Sequence, residues 1–104
     1  MSAIVQINFK FDIPREDLER GAAAIADVFA GVDGLLWKIW LVDEAGMTSG
    51  GIYLFESRDK AEAYARSDIV ATLRQDWPGA TVQVFDIMTA PSRITRAPAS
   101  ATRS

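Results

Sequence analysis

The chain contains no cysteine and no histidine. The first absence excludes disulfides, thiolate metal sites and cysteine nucleophiles. The second removes the commonest general base, the commonest metal ligand and the proximal haem ligand of globins and peroxidases. Neither a Ser-His-Asp triad nor a histidine-held zinc can be assembled from these residues. Positive charge is also scarce: 11 Lys+Arg stand against 14 Asp+Glu, a net charge of −3, with no basic stripe. Nucleic acid is therefore not an expected partner. No apolar run approaches the roughly 20 residues that span a bilayer. The start, Met1-Ser2-Ala3-Ile4-Val5, places no basic segment ahead of an apolar one. We expect no membrane partner and a cytoplasmic location. No glycine pattern for a dinucleotide is present, and Gly50-Gly51 lacks the spacing and Lys-Ser/Thr of a phosphate loop. The expected cofactor set is none: no metal, haem or flavin.

What remains is ordinary in bulk and informative in pattern. With 104 residues, 49% hydrophobic and 24% charged, the chain fits one globular domain. Ala3 to Phe11 alternates, with Val5, Ile7, Phe9 and Phe11 on one face and Gln6, Asn8 and Lys10 on the other, which predicts a strand. Pro14, Glu16 and Asp17 then open a helix over 15–30, and Leu18, Ala22, Ile25, Val28 and Phe29 recur at helical spacing up to Gly31. Strands are expected over 35–42 and 50–56, flanking the turn-forming Asp43-Glu44-Ala45-Gly46. Ser57 and Ser67 read as N-caps of a second helix broken in two, which Pro78-Gly79 stops. Thr81 to Met88 alternates again. The order β-α-β-β-α-β is the ferredoxin-like split βαβ arrangement, α+β in class, with one four-stranded antiparallel sheet.

We therefore expect a single domain over 1–90 and a C-terminal arm or tail, partly flexible, over 91–104. The tail has no acidic residue and one large apolar side chain, Ile94. Two readings of it stay open: an arm that grips a partner subunit through 91–96, and a frayed end, favoured for 97–104.

Sorting the strands by face places Val5, Ile7, Phe9, Phe11, Trp37, Ile39, Leu41, Ile52, Leu54, Val82 and Val84 under the helices. The opposite face then collects Gln6, Asn8, Lys10, Leu36, Lys38, Trp40, Gly51, Tyr53, Phe55, Gln83, Phe85 and Ile87. That set is too apolar for water and too polar for a dry core, so it suggests a homodimer whose facing sheets enclose a cavity. The strand-two and strand-three assignments hang on register, since a one-residue slip exchanges the faces.

Gly34-x-Leu36-Trp37-Lys38-Ile39-Trp40, Gly50-Gly51-Ile52-Tyr53-Leu54-Phe55, Ala63-Tyr64 and Val84-Phe85-Asp86 together resemble the YdhR-type mono-oxygenases of the dimeric α+β barrel superfamily. Gln6, Phe9 and Phe11 fit the same pattern, and the resemblance spans about residues 4–96. It implies a ferredoxin-like fold, a homodimer with facing sheets and an oxygenase role on an aromatic or quinone-like molecule. Position 8 can be histidine in that family and is Asn8 here, which puts in doubt any mechanism resting on a base there.

From the residues themselves, Lys38 can hold an enolate or phenolate oxygen, since lysine is a compact charge whose pKa falls on burial. Tyr53 can donate to an oxyanion. Asn8, Gln6 and Gln83 can orient a carbonyl or peroxide oxygen, or simply hydrogen-bond one another. Trp40, Phe55 and Phe85 can sandwich a flat ring, or pack an interface. The expected catalytic set is Lys38, Tyr53 and Asn8, and the expected substrate-binding set is Trp40, Phe55, Gln6, Gln83 and Phe85. Asp86 reads as a salt-bridge partner across a dimer. The function these residues fit is a cofactor-independent mono-oxygenase on a phenol- or quinol-like molecule. A non-catalytic binder of a small hydrophobic molecule, and a non-oxidative lyase or isomerase, would show the same pocket.

Overall fold

A computed structural model describes residues 1–102; Arg103 and Ser104, the end of the expected tail, lie outside the described residues. The elements follow in the order β1 (Ala3–Lys10), α1 (Arg15–Ala30), β2 (Leu35–Asp43), β3 (Thr48–Phe55), α2 (Arg58–Ala65), α3 (Asp68–Asp76), β4 (Thr81–Asp86), α4 (Thr89–Ile94) and α5 (Ala99–Thr102). The four strands form one sheet in the order β2-β3-β1-β4, with every neighbouring pair antiparallel. This is the ferredoxin-like α+β arrangement.

Local chemistry accounts for the helix ends. Pro14 caps α1 with φ −59°, and Glu16 and Asp17 sit in its first turn, at the positive end of the helix dipole. The Ser57 hydroxyl accepts from the Lys60 amide at 3.2 Å and the Ser67 hydroxyl from the Val70 amide at 3.4 Å, which starts α2 and α3. The β2–β3 turn is tied to the end of β1: Lys10 Nζ donates to the Gly46 carbonyl and to Thr48 Oγ1, each at 2.9 Å.

The register corrects half of the face sorting. On β1 and β4 the expectation holds, because Val5 pairs with Val84 and Ile7 with Val82. On β3, however, Val5 pairs with Tyr53 and Ile7 with Gly51, and on β2 Lys38 pairs with Tyr53 and Trp40 with Gly51. Lys38, Trp40, Tyr53 and Phe55 thus lie under the helices, while Trp37, Ile39, Leu41, Ile52 and Leu54 take the other face. The physical reason is volume. The sheet-facing side of α2 presents the small, fully buried Ala61 beside Tyr64. Large rings must therefore rise from the sheet to fill the layer. Tyr53 and Phe55 do so, with ring centroids 5.0 and 5.3 Å from that of Tyr64. A bulge at Leu36, between Leu35 and Trp37, shifts the parity of β2 by one residue.

The core joins Ala3, Val5, Ile7, Phe29, Tyr53, Phe55, Ala61, Tyr64 and Val70. α1 enters it only through Phe29. Of the rest of its predicted apolar stripe, Leu18 and Ala22 are only half-buried, and Ile25 is 46% and Val28 60% exposed. The helix stands off the sheet along most of its length, and the gap is the cavity described below.

The C-terminal segment turns back over the non-helix face. The Trp37 indole donates to Ser100 Oγ at 2.9 Å, the Ser2 hydroxyl donates to the Ser100 carbonyl at 3.0 Å, and Arg93 donates to the Thr102 carbonyl at 2.6 Å. Ala101 and Thr102 are buried, and so is Leu54 on the face they approach. Residues 99–102, expected as a frayed end, are therefore helical and packed. A short polar segment can be tied down through its carbonyls and one hydroxyl without an apolar core of its own, a possibility that hydrophobic patterning does not register. Ile94, expected as the arm's anchor, is exposed.

Candidate active site

The residues proposed from sequence divide between two places. Lys38, Trp40 and Tyr53 converge in the space between the sheet and α1. Phe55 lies beside them in register but is fully buried in the core and lines no cavity. Gln6, Asn8, Gln83 and Phe85 are on the opposite face: Asn8 pairs with Thr81 and Gly50, and Gln6 with Gln83. There the Gln6 amide donates to Asn8 Oδ1 at 3.1 Å, so these amides satisfy each other. Asp86, expected to pair across a dimer, meets Arg58 of its own chain at 3.0 Å.

The cavity has a volume of about 270 Å³. For scale, an engineered apolar cavity of about 150 Å³ holds benzene. Its floor is Ile7, Phe9, Trp40 and Tyr53 from the sheet; its roof is Leu18, Ala22 and Ile25 of α1; Leu73 and Trp77 at the end of α3 close one side. Phe9 and Trp77 stack at 5.0 Å and 30°, making a flat aromatic wall. The polar groups on the lining are few. Asp17 is engaged by Arg20 at 2.9 Å, and the Ser49 hydroxyl donates to the Leu41 carbonyl at 3.0 Å. That leaves Lys38. A wider depression of about 600 Å³ beside Phe11, Pro14, Arg15, Glu19 and Met47 is open to solvent and offers one aromatic ring where the cavity offers five.

Lys38 sits in a box of rings. Its Nζ lies 3.3 Å from the Trp40 ring centroid, 3.6 Å from that of Phe29 and 4.5 Å from that of Tyr53. Phe29 and Trp40 hold each other edge to face at 5.3 Å. Room for the lysine comes from Gly51, where a Cβ would stand 2.9 Å from Lys38 Cε and 3.1 Å from the Tyr53 ring. Among the described residues no carboxylate shifts its titration; burial alone brings the ammonium down from 10.5 to about 7. The π faces compensate the charged form in part. Near neutral pH the group is therefore poised between amine and ammonium.

Burial pushes the Tyr53 phenol up, so it remains a protonated donor. The Tyr64 hydroxyl is buried without a partner in hydrogen-bond geometry, with the Tyr53 phenol as its electrostatic neighbour; burial raises it as well. No cluster of three or more carboxylates among the described residues could hold a metal ion, and no helix among them is long and apolar enough to cross a membrane.

Sequence reasoning missed Phe29, Phe9, Trp77 and Leu73 as lining residues. They carry the helical and strand periodicity of core positions, and only the stand-off of α1 distinguishes them from core. Trp77, a large ring immediately before the Pro78-Gly79 stop, was the one available hint.

Three structures of the same fold set this geometry in context. SnoaB, a cofactor-independent oxygenase from Streptomyces nogalater, solved as its N63A mutant, superposes with a TM-score of 0.63 at 16% identity over 84% of this chain and 93% of that one. NE2512 from Nitrosomonas europaea, of unknown function, gives 0.67 at 13% over 86% and 91%. Rv0793 from Mycobacterium tuberculosis gives 0.57 at 16% over 85% and 96%. No curated protein matches significantly. The family model described as "Putative mono-oxygenase ydhR" matches residues 4–98, and the chain belongs to that family.

Proposed function

We propose that this chain is a cofactor-independent mono-oxygenase acting on a small phenol- or quinol-like molecule between the sheet and α1, with Lys38 as base and counter-ion. The observation that carries the reading is the lysine itself: a titratable amine, poised near 7, among three ring faces on the wall of an apolar cavity. Family membership and the oxygenase activity of SnoaB support the reaction class.

The neutral amine takes the phenolic proton, and the ammonium it becomes stays beside the phenolate. An electron passes from the phenolate to dioxygen, and the two radicals join at the para carbon. Lys38 returns its proton to the terminal peroxide oxygen, and loss of water leaves a carbonyl. A phenol with a free para C–H and dioxygen thus give a quinone and water, one oxygen atom in each, and the substrate supplies all four electrons. Tyr53 donates to the developing oxyanion, and the dry walls protect the anion from competing water.

The test is oxygen uptake with a panel of phenols and quinols. We expect uptake with at least one ring, one atom of labelled dioxygen in the product, and kcat/KM rising with pH through about 7. Uptake with none of the rings overturns the proposal; ring binding in that case assigns the chain to the non-catalytic binders.

We further infer a homodimer through the face opposite the helices, where Ile39 and Phe85 are 51% and 43% exposed around the Gln6–Asn8 pair. Sedimentation at micromolar concentration should give a dimer that Ile39→Asp dissociates. A wild-type monomer defeats this.

A further inference from the structure

We propose that Lys38 is an imine-forming residue: its amine condenses with small aromatic aldehydes that enter the cavity between the sheet and α1. The inference goes beyond the oxygenase reading and needs no dioxygen.

The chain has three lysines, and the fold treats them differently. Lys10 spends its ammonium on the Gly46 carbonyl and Thr48 Oγ1. Lys60 is paired with Asp33, whose hydrogen bond raises it and keeps it charged. Among the described residues Lys38 alone has neither a hydrogen bond nor a carboxylate, and it alone faces an apolar cavity. A lysine desolvated in an apolar pocket is a nucleophile at neutral pH, because burial disfavours the ammonium. The rings of Phe29, Trp40 and Tyr53 flank Nζ, and Lys38 itself lines the cavity, so a planar carbonyl reaches the amine from the cavity side. The stacked Phe9–Trp77 wall offers a flat face to an aryl group whose formyl carbon points at the amine.

The step balances without a further reactant. The Nζ lone pair attacks the carbonyl carbon, forming the C–N bond and opening the C=O double bond. A proton moves from nitrogen to oxygen to give the carbinolamine. The C–O bond then breaks, and water leaves with the second nitrogen proton, giving R–CH=N–Lys38. Apolar walls that exclude water slow the reverse hydrolysis.

The test is reductive trapping under nitrogen. The full chain is incubated at pH 7 with benzaldehyde and cyanoborohydride, then mapped by peptide mass. We expect Lys38 to be benzylated at least about tenfold faster than Lys10 or Lys60. Naphthalene, a ring with no carbonyl, should slow labelling of Lys38 and leave the other two unchanged. Glyoxylate, small and anionic, should lose the preference for Lys38. Lys38→Met should remove the fast label while Lys10 and Lys60 react as before. Equal rates at the three lysines, or no protection by naphthalene, overturns the proposal. Because oxygen is absent and the readout is a mass, this result is independent of whether any phenol is oxidised.

Discussion

Lys38→Met should yield a protein that is more stable than wild type below pH 7 and slower with phenols by about 10²–10⁴. The stability half of that expectation follows from linkage. Folding lowers the Lys38 ammonium from 10.5 to about 7. Between those values the unfolded chain binds the extra proton, so wild-type stability rises with pH across that window. Below about 7 the cost of burying the charge is fully present, and above 10.5 it is gone. Methionine keeps the unbranched stem as far as the ε position and discards the charge. The group is only partly buried and the three rings return some energy to the ammonium, so we expect a gain of about 1–2 kcal/mol at pH 6. The gain should shrink towards pH 10.5. Thermal unfolding of both proteins at pH 6 and pH 10 measures it. A variant less stable than wild type at pH 6 would show that the ring box holds the charge at no net cost. The activity half follows from chemistry: the chain has no histidine or cysteine, and Asp17 on the cavity lining is ion-paired with Arg20, which leaves Lys38 as the free base there. Wild-type rates in Lys38→Met would remove the lysine from the mechanism.

Gly50→Ala should cost about 3 kcal/mol or more, a large share of the roughly 5–15 kcal/mol that holds a domain of this size. A Cβ at position 50 would overlap the Ile7 carbonyl oxygen, which is backbone and cannot rotate away. Gly50 lies between Asn8 on β1 and Leu41 on β2, so the central strands would have to part to admit a methyl group. The melting temperature should fall by on the order of 10–20 °C. Gly21→Ala is the contrasting case. It lies inside α1, and a methyl group there would meet nothing within 4 Å. Alanine at that position should add about 0.5–1 kcal/mol through helix propensity. If Gly50→Ala melted with wild type, the close approach of β1 and β3 at this point would be wrong.

Strand one shows how far the residues alone could lead. Its alternation is so regular that Val5, Ile7 and Phe9 declare their face without help from tertiary structure, and Val82 and Val84 follow. The caps at Ser57 and Ser67 were equally legible, because a hydroxyl before an open amide is a local event. β2 and β3 were not. Both of their faces are apolar, so periodicity gives two solutions related by one residue. The choice between them depends on Ala61 being small and on the Leu36 bulge, and neither leaves a mark on the hydrophobic pattern. Lys38, Trp40 and Tyr53 were correctly grouped and placed on the wrong side. Gln6, Asn8, Gln83 and Phe85 were correctly placed and belong to a different surface. The pairing that unites Lys38 with Tyr53 is local to the hairpin and survives the slip; its relation to β1 is not.

The stand-off of α1 also gives the fold a mechanical property. The apolar hollow of about 270 Å³ opens past Ile25 and Trp40, and few side chains of α1 reach the sheet across it. The helix is therefore held more loosely than one that lies flat on its sheet. A ring that fills the hollow acts as an internal strut, and the firmness of the helix reports occupancy whether or not the occupant is ever turned over.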